Sequence, residues 1–353
     1  MKALLLIGGK GTRLRPFTCK TPKPLLPVVN RPFLDYQLEI LKRHGVREAI
    51  LCTAYRPHEF RRAFADRRAG GPSIRFLAEP TPMGTGGAVR NAESLIDDTV
   101  LVLNGDILNT LDLGAFLRAH RKARADASIA LTRVKDPTLY GLVETGEDGM
   151  VRRFLEKPSW DEITCNTINA GAYLFEPDVV ALIPPGMPYS LERGLFPALL
   201  HKGRRVLGYV TPGYWMDIGT VEKYLQVHLD ILGGATPFAP HGLKRRGSLW
   251  LGASARVGED VAHEGPGPVA VGPRTSIGDF ARLAGSVSLG AGCAVGRGAW
   301  LEDCVVLDGA RIGEGAQLKR CVIGRRCRVG AHACVGPGGA LGDGSALAPF
   351  SQA

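Results

Sequence analysis

Hydrophobic runs alternate with amphipathic stretches from residue 1 to about residue 232. Short apolar runs predict strands at residues 3–7, 49–53, 74–77 and 99–103. Apolar residues at helical spacing predict helices at residues 33–44, from residue 57 and from residue 88. Leu34, Leu38 and Leu41 share one apolar face of the first helix, and Gly45 stands where a left-handed C-cap would end it.

This alternation predicts an α/β domain whose largely parallel sheet is covered by helices on both faces. In open sheets of this kind, ligands bind beyond the carboxyl ends of the strands. The segments Gly8–Arg13 and Asn104–Asp106 both follow predicted strands. We therefore expect the two segments to face one pocket.

The hydrophobic period changes to six in the last third of the chain. Aliphatic side chains recur every six residues, except that the step is one residue shorter after Leu307 and after Leu318. The series is Val271, Ile277, Leu283, Leu289, Val295, Leu301, Leu307, Ile312, Leu318, Ile323, Val329, Val335 and Leu341. Such a hexapeptide repeat predicts a parallel β-helix, in which each short strand sends one aliphatic side chain inward and glycine serves the corners. We expect a first domain at residues 1–232, a linker at 233–245 and the β-helix at 246–350.

Composition agrees with two globular domains. The 353 residues exceed the size at which a single core usually stops growing, and the hydrophobic share of 45% is ordinary for a globular protein. The formal net charge of +10 suits an anionic partner. There is no run of five basic residues and no RNA-binding signature, so we expect no nucleic acid partner.

The apolar runs and the cysteines point to the cytoplasm. No run reaches the ~18 apolar residues of a membrane span, and the short apolar start lacks a signal-peptide cleavage site, so we expect no membrane association. The eight cysteines include no CxxC, which supports neither a zinc site nor a disulfide framework. Small uncharged side chains suit tight coils, and five of the cysteines lie in the repeat region: Cys293, Cys304, Cys321, Cys327 and Cys334.

The segment GGKGTRLRP, residues 8–16, suggests a phosphate-binding loop but fits neither common motif. A Walker loop requires Lys followed by Ser or Thr, and here Gly11 follows Lys10. A dinucleotide-binding fingerprint requires a third glycine, and Leu14 takes its place.

The same segment resembles the nucleotide loop of the sugar-1-phosphate nucleotidyltransferases. Further motifs of that family follow in its order: PKP at 22–24, NGD at 104–106, YG at 140–141, EKP at 156–158, INAG at 168–171 and YWMDIGT at 214–220. Phe17 stands where the family usually has leucine. The motifs are most similar to those of mannose-1-phosphate guanylyltransferases. The resemblance implies a Rossmann-like domain with a mixed, mostly parallel sheet, followed by a left-handed parallel β-helix.

The implied reaction is attack by a sugar-1-phosphate oxygen on the α-phosphorus of a nucleoside triphosphate, with release of pyrophosphate. This nucleophile is ionised at neutral pH, so positioning and charge neutralisation suffice. Mg²⁺ prefers oxygen ligands, and Asp106 and Asp217 match the family's metal positions. Taken alone, Asp106 could be a turn residue and Asp217 a helix cap.

Other site residues are also carried over from the resemblance. The nucleotide-binding positions are Gly8, Gly9, Gly11, Thr12, Arg13, Glu79, Gly84 and Thr85. Glycines let backbone N–H groups approach phosphates, Arg13 offers a bidentate donor, and Lys23 offers a mobile charge. The catalytic residues are Arg13, Lys23 and Lys157.

The acceptor side of the site is implied in the same way. Glu156 matches a position that binds sugar hydroxyls and Lys157 one that binds the sugar phosphate, while Gly141 and Asn169 complete the pocket. In isolation, Glu156 and Lys157 would be interpreted as a solvated charge pair at a strand end.

Glu79 occupies a position where the family contacts the nucleobase, and relatives that use thymine or uracil tend to place glutamine there. A carboxylate only accepts hydrogen bonds. Guanine offers two donors on one edge, so Glu79 favours GTP over pyrimidine nucleotides. The expected substrates are GTP and mannose-1-phosphate. Thymidylyl, uridylyl or adenylyl transfer to glucose-1-phosphate, or guanylyl transfer to another sugar or cyclitol phosphate, are the alternatives.

Two other classes of function use the same architecture. Hexapeptide repeats also build acyltransferases, but these generally need a histidine base, and beyond His241 the chain has only His263 and His332. A non-catalytic regulatory subunit would have lost loop or metal residues, and this chain keeps them. The β-helix is then expected to serve homo-oligomer assembly.

We predict that Asp106→Asn or Asp217→Asn abolishes turnover while the fold stays intact, because each change removes one charged oxygen ligand of the expected metal site. Pyrophosphate release measures turnover, and circular dichroism checks the fold. Near-normal activity in either variant would remove that residue from the metal site.

Overall fold

A computed structural model describes residues 1–64 and 71–353. It divides into two compact units. The first unit comprises residues 1–10 and 34–215, and the second unit comprises residues 11–33 and 216–353.

Short strands and helices alternate before the repeat region. The strands are β1 (Lys2–Leu6), β2 (Pro27–Val28), β3 (Arg31–Pro32), β4 (Glu48–Thr53), β5 (Ser73–Ala78), β6 (Val100–Asn104), β7 (Ile107–Asn109), β8 (Ala127–Arg133), β9 (Gly141–Thr145), β10 (Val151–Glu156), β11 (Thr167–Phe175), β12 (Val206–Val210) and β13 (Trp215–Asp217). The α-helices are α1 (Phe33–Arg43), α2 (Pro57–Phe64), α3 (Gly84–Asn91), α4 (Leu113–Lys122), α5 (Pro177–Ala181), α6 (Phe196–His201) and α7 (Val221–Leu232). Single helical turns lie at Thr12–Leu14, Phe17–Cys19, Lys23–Leu25, Glu93–Leu95, Trp160–Glu162 and Leu191–Leu195.

The first unit is built on a mixed sheet with the strand order β10-β9-β11-β6-β1-β4-β5, and β8 joins β11 to β12. Strands β4 and β6 pair with β1 in parallel, whereas β11 runs antiparallel to β6. Leu6 lies opposite Asn104, so β1 and β6 end side by side. The residues that follow them, Gly8 and Gly105–Asp106, therefore leave the same edge of the sheet, as the sequence predicts.

One helix confirms its sequence prediction, and another contradicts it. Helix α1 ends as predicted, because Gly45 has a positive φ of 68° and its amide donates to Lys42 O at 3.1 Å. The prediction that α3 begins at Ala88 is wrong, since α3 begins at Gly84. The amides of Gly86 and Gly87 both donate to the carbonyl of Tyr189, and this tertiary contact stabilises a glycine-rich first turn that helix propensity disfavours.

The second unit contains the predicted β-helix. Its strands are β14 (Lys244–Arg246), β15 (Leu249–Leu251), β16 (Arg256–Val257), β17 (Ala262–Glu264), β18 (Val269–Val271), β19 (Ser276–Ile277), β20 (Arg282–Ala284), β21 (Val287–Leu289), β22 (Ala294–Val295), β23 (Trp300–Glu302), β24 (Val305–Val306), β25 (Arg311–Ile312), β26 (Gln317–Lys319), β27 (Val322–Ile323), β28 (Arg328–Val329), β29 (Cys334–Val335), β30 (Ala340–Leu341) and β31 (Ala346–Leu347). They form three sheets, β14-β15-β18-β21-β24-β27-β30, β16-β19-β22-β25-β28-β31 and β17-β20-β23-β26-β29. After the antiparallel pair β14 and β15, neighbouring strands pair in parallel.

The strand register in the β-helix corrects the position of one of the two predicted short steps in the repeat. Leu289 pairs with Val306, and Val306 pairs with Ile323, so Val306 holds the inward position that the sequence assigns to Leu307. The shortened repeat therefore lies between Leu301 and Val306. Two adjacent aliphatic residues fit a period of six equally well in sequence, and only the backbone hydrogen bonds distinguish them.

Four of the five repeat-region cysteines are buried in the coils, which agrees with the packing role predicted for all five. Cys293, Cys304, Cys321 and Cys327 are buried, and Cys334 is half-buried. Burial raises the pKa of the Cys293 thiol to about 11. The thiol is therefore neutral at physiological pH and acts as a small packing group.

Residues 11–33 and α7 pack within the second unit. The β2–β3 hairpin places Asn30 so that its Nδ2 donates to Leu289 O at 2.9 Å. The amide of Val29 donates to Nδ1 of His228 at 3.2 Å, and the Tyr224 hydroxyl donates to Pro27 O. Burial lowers the pKa of His228 to about 3, so this histidine is a neutral acceptor in the core.

The helices in residues 1–64 and 71–353 include none with the length and apolar character of a membrane span.

Candidate active site

In the first unit, Glu79 lies over the glycine that follows β1. A Cβ placed on Gly8 would lie 2.9 Å from Glu79 Oε1, so any side chain at residue 8 would displace the carboxylate. The other oxygen, Oε2, accepts a hydrogen bond from the Met83 amide at 3.0 Å. Burial raises the pKa of Glu79, although the Met83 hydrogen bond acts in the opposite direction. The structure thus brings together two of the predicted nucleotide-binding residues.

The start of α3 holds two more predicted residues, but the Thr85 side chain faces the protein. Its hydroxyl donates to Glu192 Oε2 at 2.7 Å and accepts from the Leu191 amide at 2.9 Å. Gly84 has a positive φ of 70°, and a Cβ there would lie 2.7 Å from Tyr189 O. A nucleotide would therefore meet the backbone of these two residues.

Glu156 occupies a similar position above a second glycine. A Cβ on Gly141 would lie 3.0 Å from Glu156 Oε2 and 2.8 Å from the Phe154 ring. Burial raises the pKa of Glu156, the negative charge of Glu192 raises it further, and Lys157 acts in the opposite direction. Glu156 is therefore a half-buried carboxylate beside an exposed lysine, which differs from a fully solvated charge pair.

Asn169 is held rigidly at a bend in β11. Its Oδ1 accepts from the Gly171 amide at 2.9 Å, and its Nδ2 donates to the Tyr173 hydroxyl at 2.9 Å. Asn104 Nδ2 contacts the same hydroxyl at 3.5 Å, whereas Asn104 Oδ1 is buried and has no hydrogen-bond partner among the described residues. An unsatisfied buried acceptor costs free energy, and a ligand donor at this point would remove the cost.

Sequence reasoning missed Glu192. It accepts hydrogen bonds from Thr85 and Ser190, and its charge raises the pKa of both Glu156 and Tyr173. Glu192 thus links the predicted nucleotide and sugar residues of the first unit. In the sequence, it looks like an ordinary acidic residue in the first turn of a helix.

The second unit contains the remainder of the loop. Thr12 and Arg13 form a helical turn with Leu14, and Gly11 precedes it with a positive φ of 62°. A Cβ on Gly11 would lie 3.1 Å from Lys23 Cβ and 3.2 Å from Thr18 Cγ2. Lys23 is only 7% exposed. The loop therefore closes on itself around the Lys23 stem, and glycine is required at its tightest point.

Arg13 and Asp217 converge at Gly219 in the same unit. A Cβ on Gly219 would lie 3.0 Å from Asp217 Oδ2 and 3.2 Å from Arg13 Nη2. Lys223, which sequence reasoning also missed, forms an ion pair with Asp217 Oδ1. The N-cap of α7 is Thr220, whose hydroxyl accepts from the Lys223 amide at 3.3 Å. Asp217 is therefore not the helix cap.

The donor chemistry of the two predicted metal ligands fits a hard divalent cation. Asp106 is half-buried after Gly105, a residue at which a Cβ would lie 2.7 Å from Leu6 O. Asp217 is half-buried beside two cations. Within the described part of the chain, no cluster of three or more His, Cys, Asp and Glu side chains is arranged to hold a metal. Mg²⁺ usually takes one or two carboxylates together with water and substrate phosphates, so the side chain of either aspartate is a suitable donor.

The fold is that of a nucleotidyltransferase with a C-terminal domain of hexapeptide repeats. It combines a Rossmann-like sheet, a glycine-rich turn after β1 and a β-helix. The family model described as "Nucleotidyl transferase" matches residues 2–233, and the model described as "GMPPB C-terminal domain" matches residues 266–348. The chain belongs to the nucleotidyl transferase family. Enzymes of this family generally use a divalent metal ion.

Relatives with named activities are similar to this chain over most of its length. The mannose-1-phosphate guanylyltransferase of Mycobacterium tuberculosis is 40% identical over 88% of this chain and 80% of its own length. The UTP–glucose-1-phosphate uridylyltransferase of Synechocystis sp. is 32% identical over 89% of this chain and 84% of its own. The crystal structure of HddC from Yersinia pseudotuberculosis complexed with GMP-PN is 29% identical, has a TM-score of 0.56, and covers 64% of this chain and 97% of that protein.

Replacing Glu192→Gln should lower the pKa of Glu156. The native pKa is raised, so Glu156 takes up its proton at a higher pH than an exposed glutamate does, and Glu192 contributes to that shift. Without the Glu192 charge, Glu156 stays ionised to lower pH. The acidic limb of kcat/KM for the sugar phosphate should therefore move to lower pH.

The exposed residue Glu147, replaced by glutamine, is the matched control, and its profile should equal that of the wild type. An unchanged acidic limb in Glu192→Gln would show that the charge of Glu192 does not tune the sugar pocket.

Proposed function

We propose that the protein transfers the guanylyl group of GTP to mannose-1-phosphate, giving GDP-mannose and pyrophosphate. The observation that carries the proposal is the position of the Glu79 carboxylate over Gly8, beside the turn that leaves β1. The Mycobacterium tuberculosis guanylyltransferase, with 40% identity, supports the same pair of substrates.

Glu79 suits guanine because one of its carboxylate oxygens lies beside the glycine-rich turn and can accept hydrogen bonds there. Oε2 is fixed by the Met83 amide, and Oε1 lies next to a residue without a side chain. The N1–H and 2-amino groups of guanine both donate, and a carboxylate accepts both. A uracil or thymine edge would place a carbonyl oxygen against the same carboxylate, and repulsion would disfavour it.

Ligand donors would also offset the cost of burying the Glu79 charge. Burial raises the pKa of this carboxylate, which means that the ionised form is less stable there than in water. Two charge-assisted hydrogen bonds from guanine would return much of the lost solvation. Guanine would therefore stabilise the ionised Glu79 carboxylate more than it would stabilise an exposed glutamate.

In the proposed reaction, an oxygen of the sugar phosphate forms a bond to the α-phosphorus of GTP. The bond from the α-phosphorus to the bridging oxygen of the β-phosphate breaks, and pyrophosphate leaves with its electron pair. We assign charge neutralisation on the triphosphate to Arg13 and Lys23, and the backbone of Gly8, Gly9, Gly11 and Thr12 provides N–H donors. No proton has to be removed from the nucleophile at neutral pH.

We assign the divalent metal to Asp106 and Asp217, and Mg²⁺ is the ion we propose. It would neutralise charge that develops between the phosphates. The ion pair between Asp217 and Lys223 orients that carboxylate.

The acceptor sugar is assigned to the pocket that contains Gly141, Glu156 and Asn169. Glu156 accepts from sugar hydroxyls above Gly141, and the fixed carboxamide of Asn169 supports a second contact. Lys157 follows at the end of β10 with its side chain exposed, where it pairs with the sugar phosphate.

We also propose residues 1–232 as the catalytic domain, 233–245 as a linker and 246–350 as an assembly domain for a homo-oligomer. Phe280 and Trp300 are 46% and 39% exposed on the β-helix, which supports a contact with another copy. A monomeric mass at micromolar concentration in light scattering would contradict the oligomer. Free buried cysteines support a cytoplasmic location.

The direct test of the proposed substrates is pyrophosphate release with Mg²⁺ across GTP, dTTP, UTP, ATP and CTP, each combined with mannose-1-phosphate or glucose-1-phosphate. The expected maximum is GTP with mannose-1-phosphate. A maximum with UTP or dTTP would keep the reaction class and contradict the role of Glu79. The Synechocystis relative, a UTP–glucose-1-phosphate uridylyltransferase, is an example of this alternative.

Glu79→Gln extends the same test. Its kcat/KM for GTP should fall about tenfold to a hundredfold, because an amide replaces one acceptor by a donor. In the wild type, activity with GTP should fall as pH decreases through the raised pKa of Glu79, and the variant should lack that limb. Glu147→Gln serves again as the exposed control.

A further inference from the structure

The corner glycines of the β-helix stack beneath the backbone of the following coil. A Cβ on Gly272 would lie 2.5 Å from Gly290 C, and a Cβ on Gly324 would lie 2.7 Å from Asp343 N. Such distances leave no room for a side chain, so each coil is capped at this corner by the next.

Gly342, in one of the last coils of the β-helix, breaks this rule. A Cβ there would lie 2.9 Å from Cβ and 3.2 Å from Cγ of Pro16, which belongs to the glycine-rich loop of the second unit. Pro16 therefore takes the place that the backbone of the next coil takes elsewhere. The loop covers this corner of the β-helix.

Two hydrogen bonds attach the same segment to the β-helix. Arg325 Nη1 donates to Thr21 Oγ1 at 2.9 Å, and Asn30 Nδ2 donates to Leu289 O at 2.9 Å. Arg325 is itself oriented, because its Nε lies 3.8 Å from Asp308 Oδ2 and its amide donates to Asp343 Oδ1 at 2.8 Å. The attachment therefore comes from a fixed donor.

The attached segment carries the cations assigned to the triphosphate. Pro16 follows Arg13 closely, and Thr21 lies just before Lys23. Between them, Thr18 Oγ1 donates to Gly11 O at 2.7 Å and closes the loop. A shift of Pro16 or Thr21 would move Arg13 or Lys23 with it.

We propose that the last coils of the β-helix hold the triphosphate loop in its binding conformation, with Arg325 and Gly342 as positioning residues. This inference rests on the proposed function only in that the loop binds a nucleoside triphosphate. Because coupling between two sites is reciprocal, a bound triphosphate stabilises the last coils in turn.

The first test removes the Arg325 hydrogen bond from either side. Arg325→Met keeps the stem and loses the donor, and Thr21→Val loses the acceptor. Each should raise the KM for the triphosphate that the wild type uses by about threefold to tenfold, while the KM for the sugar phosphate stays unchanged. The double variant should show no further loss, since both changes break the same bond.

Arg326→Met is the matched control, because Arg326 is the exposed neighbour of Arg325. Gly342→Ala forms a second pair with Gly336→Ala: a Cβ at residue 336 meets only Ala353 O, at 3.8 Å, whereas one at residue 342 meets Pro16. Gly342→Ala should raise the KM for the triphosphate, and Gly336→Ala should leave it unchanged.

A second measurement, hydrogen exchange, does not depend on turnover. Arg325→Met should exchange faster than Arg326→Met at residues 11–25, and GTP should slow exchange at residues 339–353 of the wild-type protein. If Arg325→Met and Gly342→Ala match their controls in both KM and exchange, the positioning role is overturned.

The two proposals can fail separately. A different preferred nucleotide in the substrate grid would overturn the guanine assignment, and the loop test would then use that nucleotide. If residues 11–25 exchange faster in Arg325→Met than in Arg326→Met, the positioning role is supported even if GTP does not bind.

Discussion

Three of the predicted site carboxylates lie directly over glycines, and a Cβ at any of those glycines would collide with the carboxylate. Glu79 Oε1 lies over Gly8, Glu156 Oε2 over Gly141 and Asp217 Oδ2 over Gly219, each within 3.0 Å of where a Cβ would be. The glycines that suggest a phosphate loop in the sequence also determine where the acidic side chains lie. A side chain at Gly8 or Gly219 would meet the carboxylate before any other atom, whereas a side chain at Gly141 would first meet the Phe154 ring.

Burial of two of these acids gives the site its chemical character. Burial raises the pKa of Glu79 and of Glu156, and Glu192 adds a like charge next to Glu156. Asp217 differs, because Lys223 and Arg13 lie beside it. The proposed base and sugar positions thus hold carboxylates whose burial disfavours the charged form, whereas the proposed metal ligand Asp217 has two cations beside it.

Much of the fold follows from local patterns. The end of α1 at Gly45 depends on one residue's conformation, and the β-helix follows from the aliphatic residues that recur at a period close to six. The missed features depend on distant contacts. Glu192 matters because it meets Thr85, α3 begins early because Tyr189 accepts its first amides, and the short coil at Val306 is visible only in the ladder. Motifs in the sequence predict candidate site residues, but no motif identifies a residue such as Glu192, which contacts them from a distant part of the chain.

The contact between Thr21 and Arg325 joins residues separated by 304 positions. A ribosome must therefore synthesise the chain as far as Arg325 before the loop acquires this support. Long-range contacts of this kind form late in folding because a large loop has to close first. An N-terminal fragment containing all the nucleotide motifs would still lack Arg325, so the support of the loop depends on a residue that is translated after every one of those motifs.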